Sequence, residues 1–309
     1  MAGLAVRLFG PLEVRSDDGR DERPAALKAQ ELLCYLLLHC DQPVPRRMLS
    51  CLLWADYDPA RSRKNLRQAL WQLHSTIGPV ETTAGDLLEI TAETVTLRAT
   101  ASLWIDVTAF QTAFRGVRVT PSERLSTGDA ALMDDAIRLY RGDLLEGMTF
   151  EWCIVEREWL QSTYLAMLDK LMVYCEVNGE YERGIDYGES ILRCDRAREY
   201  THRRLMYLHH LRGNRTGALR QYARCLTALE EELGVLPARS TTRLCELIRT
   251  DGEVDPLIDS PSAILSGRPA TAVRARDRLR RVQQALTDLQ REISADLLAF
   301  ESESPNHLQ

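Results

Sequence analysis

Segments of this chain that lie 34 residues apart match in kind, and that recurrence restricts the fold more than any other feature of the sequence. Leu171 matches Leu205, Gly179 matches Gly213, Gly184 matches Ala218, Ile185 matches Leu219 and Leu192 matches Leu226. A period of 34, with small residues where two helices cross, predicts tetratricopeptide-like helical hairpins. Each such hairpin has an apolar face that only a stacked neighbour can cover. Two clear units with less regular helices before and after them predict a tetratricopeptide-like all-α domain over 105–251.

Upstream of that domain the period changes. The stretch LAVRLFGPLEVRSDDG alternates apolar and polar residues and then meets turn residues, which predicts a strand or hairpin. ALKAQELLCYLLLHC, residues 26–40, reads as a helix with a broad apolar face, and a short second helix follows from Pro45 to Trp54. A third helix, ARSRKNLRQALWQLHSTIG, occupies 60–78, with Asp58 or Ser62 as its cap. After Gly78 and Pro79, LLEITAETVTLRA reads as two short strands around a turn near Thr91 to Thr94, and from Trp104 onward the pattern is helical. A strand, three helices and a hairpin form the order of a winged helix-turn-helix, here over 1–104. The fold class expected is mainly α: a small α+β winged helix-turn-helix domain, then the tetratricopeptide-like domain, then a C-terminal helix.

The C-terminal part divides again. Residues 252–272, rich in Pro, Ser and Gly, read as a linker. Over 273–300, Leu279, Val282, Leu286, Leu289 and Ile293 recur at steps of three and four, the seam of a coiled coil. Pairing with a second chain and packing back on the chain's own domain explain that amphipathic helix equally well. Residues 301–309 read as a disordered tail.

Charge singles out the third helix. Leu66, Leu70, Leu73 and Ile77 share one face, while Lys64, Arg67, Gln68, Trp71 and Ser75 lie opposite, with Arg61, Arg63 and His74 at the margins. No Asp or Glu occurs from Pro59 to Val80. Solvated helices usually mix both signs, because i,i+4 pairs stabilise them, so this face is suited to something anionic. The whole chain carries a net charge of −6, yet residues 1–79 hold 11 Lys/Arg against 9 Asp/Glu, which leaves the acidic excess in the remainder. Local field, rather than overall charge, attracts a polyanion.

Several classes are disfavoured. There is no H-E-x-x-H, no G-x-S-x-G and no G-x-x-x-x-G-K-[ST], and the six histidines lack metal-ligand spacing, so neither an enzyme nor a metal or cofactor site is expected. The eight cysteines form no C-x-x-C pair and read as reduced thiols. No apolar run approaches the roughly 20 residues of a membrane span, and the first residues lack a signal-peptide core, so a cytoplasmic location without membrane contact is expected.

With those residues in view, LFGPLEV, the run from LLCYLLLH through PVPRRMLSCLLWADYDPARSRKNLRQALWQLHSTIG, and LWIDVTAF resemble the DNA-binding module of bacterial regulators of the antibiotic-regulatory (SARP) type, an OmpR-like winged helix. ALMDDAIRLYRGDLLEG, EREWLQSTY, NGEYERGIDYGESIL and LMYLHHLRGNRTGALRQYARCLTALEEELGVLPA resemble the bacterial transcriptional activator domain that follows it in that family. The resemblance covers about 4–250. It implies binding to promoter repeats on double-stranded DNA, self-association as a homodimer or tandem pair, and recruitment of the RNA polymerase holoenzyme. One departure concerns the wing: GDLLEITAETVT offers Asp86, Glu89 and Glu93 and no Lys or Arg before Arg98, so minor-groove contacts by the wing are not expected.

In this reading the third helix enters the major groove. Lys64, Arg67, Gln68 and Trp71 are the candidates for base edges, Arg suiting guanine and Gln suiting adenine. Trp71 has an alternative, packing against the wing. Arg46, Arg47, Arg61, Arg63 and His74 lie at helix starts or margins, where phosphate contact is easier. A competing reading makes the chain a sensor or scaffold that binds an unknown small-molecule effector or a protein in a groove of the helical repeats, with Tyr174, Tyr200, Arg203 and Tyr207 as lining groups.

Overall fold

The computed structural model describes residues 3–77 and 87–252. The expectations for the linker, the C-terminal amphipathic helix and the tail fall outside these residues.

Strands β1 (Leu4–Arg7) and β2 (Glu13–Ser16) pair antiparallel with Val6 opposite Val14, so the expected hairpin is present. Its alternation puts Leu4, Val6 and Val14 inside. Helix α1 (Leu27–Leu38) is buried on most of its circumference, which is why its leucines run almost without interruption. The second strand pair is set off by β3 (Val44–Pro45), which leads straight into α2 (Arg46–Leu53). Pro45 at the boundary suits a helix start, where its missing N–H is not needed. Helix α3 (Pro59–Ile77) follows. Of the two expected caps, Asp58 is the one used: its Oδ1 accepts from the backbone N–H groups of Ala60 at 3.0 Å and Arg61 at 3.1 Å. Ser62 is buried, and its hydroxyl donates to the Trp54 carbonyl at 3.1 Å, tying α3 to the end of α2.

The expected hairpin after α3 is formed by β4 (Leu88–Ile90) and β5 (Thr94–Leu97), with the Thr91 hydroxyl accepting from the Thr94 N–H at 2.9 Å to close the turn. The strands make two separate sheets. One runs β3-β5-β4; the other runs β2-β1-β6, where β6 (Leu103–Ile105) lies parallel to β1. Here the structure differs slightly from the expectation that helix begins at Trp104. Leu103, Trp104 and Ile105 extend along β1, and the helical run starts at Asp106.

The helical half consists of α4 (Asp106–Val117), α5 (Thr127–Leu139), α6 (Ile154–Val177), α7 (Tyr181–Cys194), α8 (Glu199–Leu211), α9 (Arg215–Leu233) and α10 (Arg239–Thr250). The 34-residue recurrence maps onto the hairpins α6–α7 and α8–α9. Gly179 and Gly213 occupy the same turn in each, at φ +73° and +76°, where a side chain would be strained. Gly184 and Ala218 lie at the helix crossings. The approach is closer still at Gly188 on α7, where an added Cβ would fall 2.6 Å from Leu205 Cδ2. Among the described residues, no helix is long and apolar enough to cross a membrane.

The two halves share one core. Phe9 meets Phe110 edge-on at 5.1 Å and Tyr140 at 4.8 Å, and Tyr140 stacks on Tyr164 of α6 at 4.2 Å. Backbone bonds zip the segment after β1 to the loop after α5: Gly10 N–H donates to the Asp143 carbonyl at 2.9 Å and Leu145 N–H to the Leu8 carbonyl at 2.8 Å. The buried Asp106 carboxylate accepts from the N–H groups of Leu8, Phe9 and Val107 at 2.7–3.0 Å. The described residues of both halves accordingly belong to a single compact unit.

Candidate nucleic-acid interface

Helix α3 inserts Leu66, Leu70, Leu73 and Ile77 into the core against α1 and α2, which is the face the 4-3-4 spacing marks out. With that stripe fixed, the opposite side chains are turned outward. Lys64, Arg67 and Gln68 are exposed, as are Arg61, Arg63 and His74. Trp71 is 70% exposed, so the reading in which it packs against the wing is not what the structure shows. An indole left so open on a folded surface is unusual, because burying its large apolar area is favourable.

Among the described residues, Arg47, Arg61, Arg63, Lys64 and Arg67 make no ion pair with an Asp or Glu, although the acidic excess lies in the helical half. The Arg61 guanidinium lies over the Tyr57 ring, 4.6 Å from its centroid, which holds it beside the start of α3 while leaving its charge unneutralised. Tyr57 was not singled out in the sequence: it lies in the connector before α3, where helical spacing gives no signal for the contact. Arg46 is half-buried and already engaged: its Nη1 donates to the Thr91 carbonyl at 3.0 Å and its backbone N–H to the Glu93 carbonyl at 2.8 Å. It joins the start of α2 to the wing turn, and only its remaining N–H groups are available to a phosphate. On the wing itself, Arg98 pairs with Glu89 at 2.5 Å, so the nearest wing cation is neutralised.

The second candidate site does not assemble. Tyr174 and Tyr207 are 6% and 5% exposed and belong to the packed interior of the repeats, which corrects their assignment to an open groove. Aromatic residues at helical spacing most often fill a core, and these two do. Tyr200 and Arg203 are half-buried on α8, where Arg203 bonds Ser240 Oγ at 3.1 Å and reaches over the Tyr200 ring at 5.6 Å. Arg204, beside them, is 3% exposed and donates to Glu176 at 2.7 Å and to the Tyr200 hydroxyl. Arg204 thus ties α8 to Glu176 of α6, and Arg203 ties α8 to α10. Among the described residues, no group of three His, Cys, Asp or Glu side chains is placed to hold a metal ion.

Comparison with known proteins bears on the helical half first. The family model described as bacterial transcriptional activator domain matches residues 105–249, from the start of α4 to the end of α10. That match spans just under half of the chain. The resemblance of the helical half to the activator domain of the SARP-type regulators is thereby borne out. Among solved structures, Mycobacterium tuberculosis EmbR in complex with a low-affinity phosphopeptide is similar in fold, at 20% identity and a TM-score of 0.67. The match covers 90% of this chain and 71% of that one, so the fold likeness includes the winged helix together with the activator domain. No curated protein matches the sequence.

Proposed function

We propose that the chain is a sequence-specific DNA-binding regulator of transcription, most simply an activator, that lays α3 in the major groove. What is established is coarser: the chain carries a domain of transcriptional activators. The observation that carries the finer reading is the outer face of α3, exposed, free of acids and without an ionic partner among the described residues. A major groove about 12 Å wide accepts one α-helix. Lys64, Arg67, Gln68 and Trp71 point away from the core at successive turns and are the groups assigned to base edges. Arg47, Arg61, Arg63 and His74 flank them for phosphates, with Arg46 in a lesser role because the wing turn already holds it. The activator domain serves self-association as a homodimer or contact with RNA polymerase. No observation favours an effector groove, since two of its four assigned residues are in the core.

Selection of bound sequences from a random double-stranded pool tests the reading. Enrichment of one motif is expected, and the affinity for that motif should fall with salt at a log-log slope of about −4 to −5 per protomer if roughly five phosphates are neutralised. A pool that emerges without enrichment, or a slope near zero, would overturn it.

A further inference from the structure

The three helices that carry the reading face touch the activator domain through a contact built from both polar and aromatic groups. Glu31 lies on α1 at 6% exposure, and its Oε1 accepts from the indole N–H of Trp152, in the short helical turn Glu151–Cys153 before α6, at 3.2 Å. Its Oε2 accepts from Lys28 at 2.8 Å. The Trp152 ring meets Tyr35, one turn further along α1, edge-on at 5.1 Å and stacks on Phe150 at 5.8 Å. Tyr35 in turn stacks on His39 at 4.2 Å at the end of the same helix. Helix α1 packs directly on α3.

We infer that Trp152 and Glu31 are positioning residues that lock the direction of the α3 reading face to the activator domain, so that the DNA-reading half does not swivel on it. A carboxylate buried on α1 is costly unless it is hydrogen-bonded, and Trp152 supplies one of its two partners from the other half of the molecule. Sliding or rotating α1 away would leave both Glu31 Oε1 and the indole N–H without a partner. It would also separate the Tyr35 and Trp152 rings, a pairing of a kind that contributes beyond its buried area. The Asp106 clamp and the Gly10–Asp143 zipper hold the β2-β1-β6 sheet, not α1. The bond from Trp152 adds α1, and through it α3, to that fixed frame. This inference rests on the DNA-reading role proposed for α3, but the lock itself is a property of the free protein.

Two native thiols allow a test without DNA. Cys51 on α2 and Cys194 on α7 are exposed, whereas the remaining cysteines are buried or half-buried, and burial pushes the half-buried Cys40 thiol up to about 11. Spin labels on Cys51 and Cys194 should give one narrow distance distribution in the wild-type chain. Trp152→Phe, which keeps the ring between Tyr35 and Phe150 but lacks the N–H, and Glu31→Leu should each broaden it. Glu31→Gln, which retains an acceptor, should restore the narrow distribution, a rescue that a general packing role does not produce. Unchanged distributions in Trp152→Phe and Glu31→Leu would overturn the lock. A second measurement uses the motif selected above: affinity for a single copy should be unchanged in all three variants, because α3 is intact. A comparable loss of single-copy affinity in Glu31→Gln would also overturn the inference. If the wild-type chain shows no sequence preference, the DNA-reading role fails while the distance measurement still reports on the lock.

Discussion

The arginines of α3 and those of the activator domain are the same residue put to opposite uses. In the activator domain, Arg198 pairs with Asp169 at 2.5 Å, Arg204 with Glu176 at 2.7 Å, Arg212 with Glu182 at 2.5 Å and Arg224 with Glu189 at 2.6 Å. Each of these pairs joins helices of the repeats or the residues that cap them. On α3, Arg63, Lys64 and Arg67 face outward with no carboxylate partner among the described residues. A cation that is paired fixes packing and contributes little external field, whereas an unpaired one leaves its field for a partner molecule. Counting charges therefore says less about function than asking which of them are already neutralised.

The largest effect that would sharpen this contrast is at Arg204. Replacing it with Met should cost about 3 kcal/mol of stability in denaturant unfolding, because the half-buried Glu176 carboxylate is left without the buried guanidinium that pairs with it. Replacing both Arg204 and Glu176 with apolar residues should recover most of the loss. A neutral Arg204→Met would mean that the paired arginines are not structural, and the contrast would break.

Arg67→Ala should do the reverse. Unfolding should be unchanged, while discrimination at one base pair of the selected motif falls by about 1–3 kcal/mol. Arg61→Ala, by comparison, should weaken binding evenly across sequences, as loss of a phosphate contact does. If Arg67→Ala leaves both affinity and preference intact, the register given to α3 on DNA is wrong.

The smallest effect concerns pH. His202, buried on α8, donates from Nε2 to the Arg196 carbonyl at 2.8 Å and accepts at Nδ1 from Gln221, whose carbonyl accepts from Arg224 at 3.0 Å. Burial holds its pKa below the ordinary 6.5, and a proton on Nδ1 would face the Gln221 amide. In the unfolded chain the imidazole protonates first, so this contribution to stability is complete above pH 6.5 and is lost as the pH falls toward the lower folded value. His209, also lowered by burial, acts in the same direction. Unfolding followed from pH 7 to pH 5 should show stability falling, and His202→Gln should flatten part of that slope. A slope that His202→Gln does not change would remove His202 from the paired network.

Much of the fold was legible because its causes are local or periodic. The 4-3-4 spacing of Leu66, Leu70, Leu73 and Ile77 decided which face of α3 is buried, and hence which side chains face out. Gly179 and Gly213, recurring with the apolar positions around them, marked the two hairpin turns. What the sequence could not supply was any contact between residues distant along the chain. Tyr174 and Tyr207 carry the same side chains whether they line a groove or fill a core, and only the stacking of α6, α7, α8 and α9 decided that they fill one. Arg46 looked like a free cation until the wing turn folded back onto it. The bond between Glu31 and Trp152 spans 121 residues and leaves no local pattern. Periodicity is written residue by residue and determines which face each helix buries. Which charges remain unpaired, and in which direction they are aimed, depends on partners that only the folded chain brings together.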